Sequence, residues 1–522
     1  MTLKKCVKVS LISMTNINNI EVSKDPAVLE TYSRDVSNFK IVPLAVFFPR
    51  STEEVQTVVL AAKEEGVSVT VRAGGTCMSG GPINSGYIID LTRYMNSVAV
   101  DADSKTATVD AGAYFRDVED AAKVHELFFA GYPSSNRICG IGGMLGNNAS
   151  GEKSLRHGAT GVNVISLEVV LADGSVTTLT RKQLTEVNSE REQKTLALYE
   201  EYAAALRDAI GDVKKCASGY RLDEVVKDGV FSEIPLMVGS QGTLGIITKA
   251  TLNLVPLPEH VGLLVVSAQS LEDLSDIIAT AYEHNPEGLE TFDKNTFARA
   301  RVHLSEYAEK VVPYVDVNAE LFILIQLSED TAEATATQAA ACYESLLSKG
   351  YFVKQIQEPV DVEAAWMVRR NSFTLMRDHN EEGFRAMPCI EDVIVPLPAL
   401  GTFIHELIAI LEKREITYGF HGHIGDGSFR VVPIFDFRKE TLTDDIFGLM
   451  DDVFALIKRL RGNMSADHSD GIIRTPFLES FYGSTLAGAF AEIKQIYDPE
   501  NRLNPGKKVG GTKEDILKTL QQ

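Results

Sequence analysis

The chain has 522 residues, 44% hydrophobic and 24% charged, so its apolar content suffices for more than one hydrophobic core. Its 51 lysines and arginines stand against 72 aspartates and glutamates, and the formal net charge of −21 disfavours binding to nucleic acid or acidic membrane surfaces. Six cysteines without CxxC spacing argue against a disulfide framework, an iron–sulfur cluster or a structural zinc site, and predict a cytoplasmic protein.

The opening residues, MTLKKCVKVSLISM (1–14), combine a basic start with a few apolar residues. Lys8, Ser10 and Ser13 interrupt the apolar stretch, and no small-residue cleavage site follows. We therefore predict a first strand here rather than an export signal. No run of eighteen apolar residues occurs in the sequence, so we expect that the protein is not an integral membrane protein.

The first half of the chain predicts a mixed α/β domain that ends near Pro258. Ser51 and Glu54 form a capping box ahead of apolar residues at helical spacing, and Gly66 stands where this helix should end. Further predicted elements are strands at 67–71, 87–91 and 106–111, a helix at 114–124, and a hairpin at 164–179 that turns at Asp173 and Gly174.

The second half predicts a separate domain, because strands there alternate with longer helices. The predicted strands lie at 261–267, 320–327, 351–356, 389–396 and 416–421. The predicted helices lie at 270–284, 330–349 and 360–378.

Two glycine-rich segments are predicted to hold phosphate. The first glycine loop, RAGGTCMSGGPINSG (72–86), follows a strand; its glycines can turn successive N–H groups toward an anion, and Thr76 and Ser79 add hydroxyl donors. The second glycine loop is GIGGMLGNNASG (140–151). Neither has Rossmann or Walker spacing. Together they suit a dinucleotide, with tight turns in a twisted sheet as the alternative.

Two segments of the second half concentrate ionisable residues beside glycines: FHGHIGDGSFR (420–430) and SADHSDGIIR (465–474). On an extended backbone His421 and His423 lie on one face, and Asp467 and His468 come later in the chain. Folding could therefore assemble ligands for zinc or another divalent metal. Histidines that are hydrogen-bonded core or turn residues are the alternative, and the residues alone leave both open.

Ten short segments, spread in order over nearly the whole chain, carry a resemblance to a known family. They are YSRD (32–35), FPRSTEEV (48–55), the first glycine loop, IIDLTRYMN (88–96), GYPSS…GGMLGNNASGEKSLRHG (131–158), LEVVLADGS (167–175), GSQGTLGIIT (239–248), HIGDGSF (423–429), DHSDGIIRTPF (467–477) and DPENRLNPGK (498–507). In this order they resemble the FAD-linked oxidases and dehydrogenases of the vanillyl-alcohol oxidase and p-cresol methylhydroxylase (PCMH) type. The most similar branch is the D-lactate, glycolate and D-2-hydroxyglutarate dehydrogenases.

The resemblance implies an α+β fold in three parts. Residues 1–258 would form a two-subdomain FAD-binding domain of the PCMH type. Residues 259–465 would form a substrate or cap domain, an antiparallel sheet with helices. Residues 466–522 would return to complete the active site and the FAD domain.

The resemblance also implies bound FAD. Relatives that attach the flavin covalently through the first glycine loop use a histidine after the paired glycines, whereas here Thr76 follows Gly74 and Gly75. The position of Cys139 relative to the second glycine loop does not match the known cysteinyl attachment. We therefore expect non-covalent FAD. The expected FAD contacts are Arg72, Ala73, Gly74, Gly75, Thr76, Cys77, Ser79, Gly80, Pro133, Ser134, Gly142, Gly143, Asn147, Ala149, Ser150, Gly242, Ile246, Ile247 and Asn504.

Metal-dependent relatives carry HxGDGNxH and a later Glu-His pair, in which two histidines and the glutamate bind the metal and the last histidine is the base. By this resemblance His423 matches the first ligand and Arg430 the second, while Asp467 matches the glutamate and His468 the base. A guanidinium cannot bind a metal. Either His421 replaces the missing ligand, or the site is metal-free and Arg430 supplies the positive charge.

Arg369 occupies the position of the arginine that forks onto the substrate carboxylate in the resembling enzymes, with a solvated helical arginine as the alternative. Relatives acting on D-2-hydroxyglutarate place a threonine and a lysine nearby, where this chain has Phe373 and Ile390. The resemblance therefore implies oxidation of a shorter D-2-hydroxy acid, such as D-lactate or glycolate, to the 2-oxo acid. His468 would accept the hydroxyl proton while the hydride goes to the flavin.

The sequence does not identify the electron acceptor. Nothing resembles a nicotinamide site or a haem-attachment motif, so a quinone, a flavoprotein, a separate iron–sulfur subunit or oxygen is expected, and a dehydrogenase is favoured. The other expected partners are the 2-hydroxy acid and a second copy of the chain. Two alternatives stay open: a non-redox flavoenzyme resembling alkyldihydroxyacetonephosphate synthase, and a degenerate FAD-binding electron-transfer subunit, suggested by Arg430 and by Gln241 in place of the glutamate of GSEGTLG.

Overall fold

The computed structural model describes residues 17 and 19–521, so the strand predicted within residues 1–14 lies outside the described residues. The strands of the first half are β1 (Glu21–Ser23), β2 (Ala45–Phe48), β3 (Val69–Arg72), β4 (Tyr87–Asp90), β5 (Val98–Asp101), β6 (Thr106–Asp110), β7 (Leu127–Phe128), β8 (Val164–Val170), β9 (Val176–Leu179), β10 (Lys182–Gln183), β11 (Val226–Lys227), β12 (Val230–Phe231), β13 (Ile246–Asn253) and β14 (Val255–Pro256). The helices of this half are α1 (Pro26–Tyr32), α2 (Thr52–Glu65), α3 (Phe115–Lys123), α4 (Ile141–Asn147), α5 (Ser154–His157), α6 (Glu190–Ile210) and α7 (Ile234–Met237).

Two sheets organise the first half. A four-stranded sheet has the order β1-β2-β4-β3, with β2 and β3 parallel to β4, and a five-stranded antiparallel sheet has the order β5-β6-β13-β8-β9. The predicted capped helix is α2: the Ser51 side chain accepts from the Glu54 N–H, and Gly66 closes the helix at φ 70°. The first glycine loop leaves β3 directly, and the second contains α4.

The second half contains the strands β15 (Val261–Ala268), β16 (Gly288–Asp293), β17 (Leu321–Ser328), β18 (Phe352–Ile356), β19 (Phe384–Ala386), β20 (Thr417–Gly422) and β21 (Arg430–Asp436). Its helices are α8 (Leu274–Tyr282), α9 (Lys294–His303), α10 (Ser305–Val311), α11 (Ala332–Ser348), α12 (Pro359–Arg370), α13 (Ser372–Asp378), α14 (Leu400–Lys413), α15 (Leu442–Arg459), α16 (Gly471–Arg474), α17 (Leu478–Tyr482), α18 (Ser484–Tyr497) and α19 (Lys513–Thr519).

One seven-stranded sheet, in the order β18-β15-β17-β16-β20-β21-β19, dominates this half, and every neighbouring pair is antiparallel. Its strand β17 is buried along its whole length, so both faces of the sheet are covered. The end of β20 and the start of β21 carry His421 and Arg430 side by side in register.

Two predicted elements differ from the structure. The strand predicted at 389–396 is irregular, with isolated bridges from Ile394 to Ser428 and Asn463. The backbone turns at Glu391 and Asp392, whose carboxylates are hydrogen-bonded inside the protein. The helix predicted at 360–378 is interrupted at Asn371, which separates α12 from α13.

The end of the chain returns to the first half, as predicted. Leu503 forms a parallel bridge with Val69 of β3, and the Asn504 side chain donates to the carbonyls of Gly81 and Gln241. The last segment thereby fixes the base of the first glycine loop. Among the described residues, no helix combines the length and apolar character needed to cross a membrane.

Candidate active site

A cavity lies between the two glycine loops and the 241–247 segment; we call it the glycine-loop cavity. A Cβ on Gly74 would lie 2.3 Å from the Ile138 carbonyl oxygen, so the chain segments here pack backbone to backbone. At Gly143 a Cβ would find only Ala73 within 4 Å, leaving the space beside it open. The predicted FAD contacts that line this cavity are Arg72, Ala73, Gly74, Gly75, Thr76, Cys77, Gly142, Gly143, Asn147, Gly242 and Ile247.

The first glycine loop has the unused donors that a pyrophosphate requires. Among the described residues, no protein group accepts a hydrogen bond from the N–H groups of residues 73–76. The Arg72 guanidinium lies over Gly75, and its buried Nη1 has no partner in the described part of the chain. Backbone N–H groups and a guanidinium converging on one space fit a phosphate ligand, so the residues present fit FAD.

Four predicted FAD contacts support the loops without lining the glycine-loop cavity: Ser79, Gly80, Ile246 and Asn504. Gln241 connects the second glycine loop to the last segment of the chain. Its Nε2 donates to Asn147 Oδ1 at 3.0 Å, and its Oε1 accepts the Gly471 N–H at 2.8 Å. An ionised glutamate could not donate to Asn147, so glutamine suits this position.

A second cavity of about 770 Å³, which we call the charged cavity, shares Thr76, Gly143 and Asn147 with the glycine-loop cavity. Six of its lining residues are lysine or arginine and three are aspartate or glutamate, so it favours an anionic ligand although the whole chain is strongly acidic. The predicted residues that it brings together are Pro133, Ser134, Ala149, Ser150, Arg369, His421, Arg430, Asp467 and His468. His423 lies outside this lining.

His468 is oriented by a carboxylate that sequence reasoning missed. Its Nδ1 lies 2.8 Å from Glu391 Oε1, and Arg474 holds the other oxygen of that carboxylate at 2.5 Å. Burial opposes ionisation of Glu391, but Arg474 and His468 outweigh it, and the pKa of this carboxyl is lowered. An ionised Glu391 accepts a hydrogen bond from the N–H at Nδ1 of His468. In this tautomer Nε2 carries no hydrogen and is free to accept a proton.

Asp392 fixes the backbone on which His468 stands. Its carboxylate accepts the N–H of His468 at 2.8 Å and that of Asp467 at 3.2 Å. Burial raises the pKa of Asp392 to about 7. The adjacent acids of CIEDVIV (389–395) were a usable signal, because two carboxylates within an apolar run have to find buried partners.

Asp467 is held by two cations. Arg430 Nη2 lies 2.5 Å from its Oδ1, and Lys215 Nζ lies 3.5 Å from its Oδ2. Burial opposes its ionisation, but Arg430 and Lys215 outweigh it and keep the pKa of Asp467 well below its ordinary value. No local sequence pattern marked Lys215, which also lies 3.0 Å from Asp426.

Arg369, at the end of α12, is buried beside Glu290, a second carboxylate that the sequence analysis did not predict. Its Nη2 lies 2.5 Å from Glu290 Oε2, and Glu290 Oε1 lies 2.6 Å from His423 Nδ1. Burial raises the pKa of Glu290 to about 8 and lowers that of Arg369, so desolvation outweighs the attraction of this pair. The Nε of Arg369 has no hydrogen-bond partner among the described residues.

The donor set does not fit a divalent metal. Among the described residues, Asp392, Asp467 and His468 offer ligand atoms within 4.8 Å of one another, and this group includes neither His421 nor His423. The carboxylates of Asp392 and Asp467 are already engaged by N–H groups, by Arg430 and by Lys215. Of the predicted ligands, Asp467 is therefore already paired, and His421 and His423 do not group with it at that distance.

Comparisons with known proteins identify two domains in the chain. The sequence matches the FAD binding domain over residues 43–180 and the C-terminal domain of FAD linked oxidases over residues 257–508. D-2-hydroxyglutarate dehydrogenase of Pantoea ananatis is 27% identical over 499 residues, covering 91% of this chain and 49% of the relative. The chain thus spans about half the length of that relative.

Two further similarities cover nearly whole chains. Glycolate oxidase subunit GlcD of Bacillus subtilis is 27% identical over 512 residues, 96% of either chain. The structure of p-cresol methylhydroxylase with substrate bound has a TM-score of 0.69 at 16% identity and covers 94% of both chains, which confirms the predicted PCMH-type fold. The chain belongs to the FAD-linked oxidases, with their FAD binding domain followed by their C-terminal domain.

Proposed function

We propose that this protein oxidises a D-2-hydroxy acid of the size of D-lactate or glycolate to the 2-oxo acid. The observation that carries the proposal is that Arg369, Arg430 and His468 line one cavity, which adjoins the glycine-loop cavity. A carboxylate anchor, a fixed cation and a base are the groups needed to hold a 2-hydroxy acid and remove its hydroxyl proton. Bound FAD would accept the hydride from the substrate carbon.

Arg369 anchors the substrate carboxylate in this proposal. The raised pKa of Glu290, near 8 because of burial, favours its protonated form at neutral pH. A neutral Glu290 leaves the charge of Arg369 uncompensated and its Nε free to donate. A planar guanidinium with unused donors fits a carboxylate, and a two-point contact orients the carbon that is oxidised.

His468 accepts the hydroxyl proton at Nε2, because Glu391 holds Nδ1. Arg430 faces the same cavity, and its Nε has no partner among the described residues. A guanidinium N–H directed at the substrate oxygen stabilises the negative charge that develops as the proton leaves. The two roles are complementary, since one group removes the proton and the other stabilises the remaining oxygen.

We propose a short substrate because Phe373 and Ile390 stand at the two positions where relatives that act on D-2-hydroxyglutarate carry a threonine and a lysine. Phe373 lines the charged cavity, whereas Ile390 is fully buried outside it.

We also propose the domain limits 1–258, 259–465 and 466–522, and a non-covalent flavin. The seven-stranded sheet, whose strands lie between Val261 and Asp436, and the return of Leu503 to β3 support these limits. Burial raises the pKa of the Cys139 thiol to about 12, which makes it a poor nucleophile toward a flavin. The proposed electron acceptor is another redox protein or a quinone.

The test is anaerobic mixing of the FAD-loaded protein with a panel of D- and L-lactate, glycolate and D-2-hydroxyglutarate. The proposal expects prompt bleaching of the flavin absorbance by D-lactate or glycolate. Fast bleaching by D-2-hydroxyglutarate alone would overturn the assignment of a short substrate. A flavin that no hydroxy acid bleaches, but that dithionite reduces, would favour the electron-transfer subunit or the non-redox enzyme.

A further inference from the structure

Lys215 is a buried cation that the proposed mechanism does not use. Its ammonium group lies 2.7 Å from Ser150 Oγ and 3.2 Å from Ser154 Oγ, and it contacts the carboxylates of Asp426 and Asp467. These partners come from the first half of the chain, from the turn between β20 and β21, and from the last segment. Lys215 therefore joins three distant parts of the chain at the site.

We propose that Lys215 and Arg430 together take the place of a divalent metal ion in this active site. The inference rests on the proposed function for the role of the substrate. Arg430 is the group that contacts the substrate oxygen. Lys215 is a positioning residue, which holds Asp467 from the side opposite to Arg430.

The geometry of Asp467 carries this proposal. Its Oδ1 faces Arg430, and its Oδ2 accepts the hydroxyl of Ser150 at 2.5 Å and faces Lys215. Both oxygens are thus committed to protein donors. His423 has its Nδ1 bonded to Glu290 and its Nε2 3.7 Å from Oδ2, so the exclusion of a metal rests on Asp467 and its two cations rather than on this histidine. A metal ion needs about four ligands at roughly 2.0–2.2 Å, and Asp467 would have to give up its present donors to become one of them.

Charge leads to the same conclusion. Lys215 and Arg430 carry two positive charges, as a divalent ion does, but both are attached to the chain. An added ion at Asp467 would lie within a few ångströms of both cations, and like charges at such distances repel strongly in a buried site. The two side chains therefore supply the positive field and also exclude the metal. The catalytic reaction should be independent of added metal and insensitive to chelators.

The first test measures metal in the FAD-loaded protein, independently of its activity. Wild type and the double variant Lys215→Met/Arg430→His are dialysed against Co²⁺ and then against buffer. Cobalt per flavin is measured by elemental analysis, and its ligand-field absorbance by spectroscopy. We expect far less than one cobalt per flavin in wild type. The double variant lacks both cations and carries an imidazole at position 430 beside Asp467, His423 and His468, so it should approach one cobalt per flavin.

Two outcomes of this test overturn the proposal. One cobalt or zinc per flavin in wild type would show that the cations do not exclude a metal. A double variant that keeps FAD but binds no cobalt would show that the cations are not what keeps metal out. Neither result depends on which hydroxy acid is the substrate, so failure of the proposed function is separable.

The second test addresses Lys215 itself in FAD-loaded protein. Lys215→Met should slow flavin reduction by D-lactate at least tenfold, and Lys215→Arg should restore part of the rate because the charge beside Asp467 returns. Lys214→Met is the matched control: this neighbouring lysine is exposed and contacts Tyr282 outside the charged cavity, so its rate should stay near wild type. Equal rates for wild type and Lys215→Met, or loss of wild-type rate on treatment with EDTA, would overturn the role of Lys215.

Discussion

Arg369→Met removes the proposed carboxylate anchor while keeping a side chain of similar length. Arg369 is 4% exposed and lines the charged cavity. A substrate carboxylate paired with it would therefore be largely desolvated, and such pairs are stronger than exposed ones. Methionine retains the packing of the stem but offers no donor to the substrate.

The magnitude follows from the burial of the pair. Removing one partner of a buried, hydrogen-bonded charge pair costs about 2–5 kcal/mol. At about 1.4 kcal/mol per factor of ten, kcat/KM should fall by roughly thirty-fold to several-thousand-fold. The cost to the free enzyme should be small, because burial already raises the pKa of Glu290 to about 8, and loss of the neighbouring cation makes its protonated form still more favourable.

The assay is stopped-flow reduction of the FAD-loaded variant over a range of D-lactate concentrations. Arg438→Met serves as the matched control, since this arginine pairs with Asp436 at an exposed position outside the charged cavity and should leave the rate near wild type. A fall in kcat/KM of less than threefold in Arg369→Met, with FAD still bound, would show that another residue anchors the carboxylate.

Three further outcomes are expected. His468→Asn should slow flavin reduction by about 10²–10⁴-fold, the share of general base catalysis, with FAD content unchanged; wild-type stopped-flow rates would place the base elsewhere. Acid precipitation should leave the yellow colour in the supernatant, and colour in the pellet would contradict non-covalent FAD. Burial raises the pKa of Asp35 from 3.8 to about 6, so the folded state holds its proton more tightly and the free energy of unfolding falls as pH rises through that range. Asp35→Asn should lose less thermal stability than wild type between about pH 4 and pH 7, and an equal loss would refute this assignment.

The sequence by itself determined the parts of this protein whose signals are local. Glycines after a strand predicted the first glycine loop, because only residues without a Cβ allow backbones to approach as Gly74 approaches Ile138. Ser51 and Gly66 predicted both ends of α2 through capping chemistry that lies within a few residues. The family resemblance predicted catalytic roles for Arg369, Arg430 and His468; the three residues line one cavity, and their roles stay predictions.

Only the tertiary structure decided which charges pair inside the site. Lys215 meets Asp467 across 252 residues of sequence, and Glu391 reaches His468 across 77. Their partners come from other elements, so no local pattern records these contacts. The segment around Glu391 even has the apolar pattern of a strand, yet its backbone turns to bring two carboxylates into the site. Buried charges must be compensated by whatever the fold brings near them, and that pairing is a property of the packed chain.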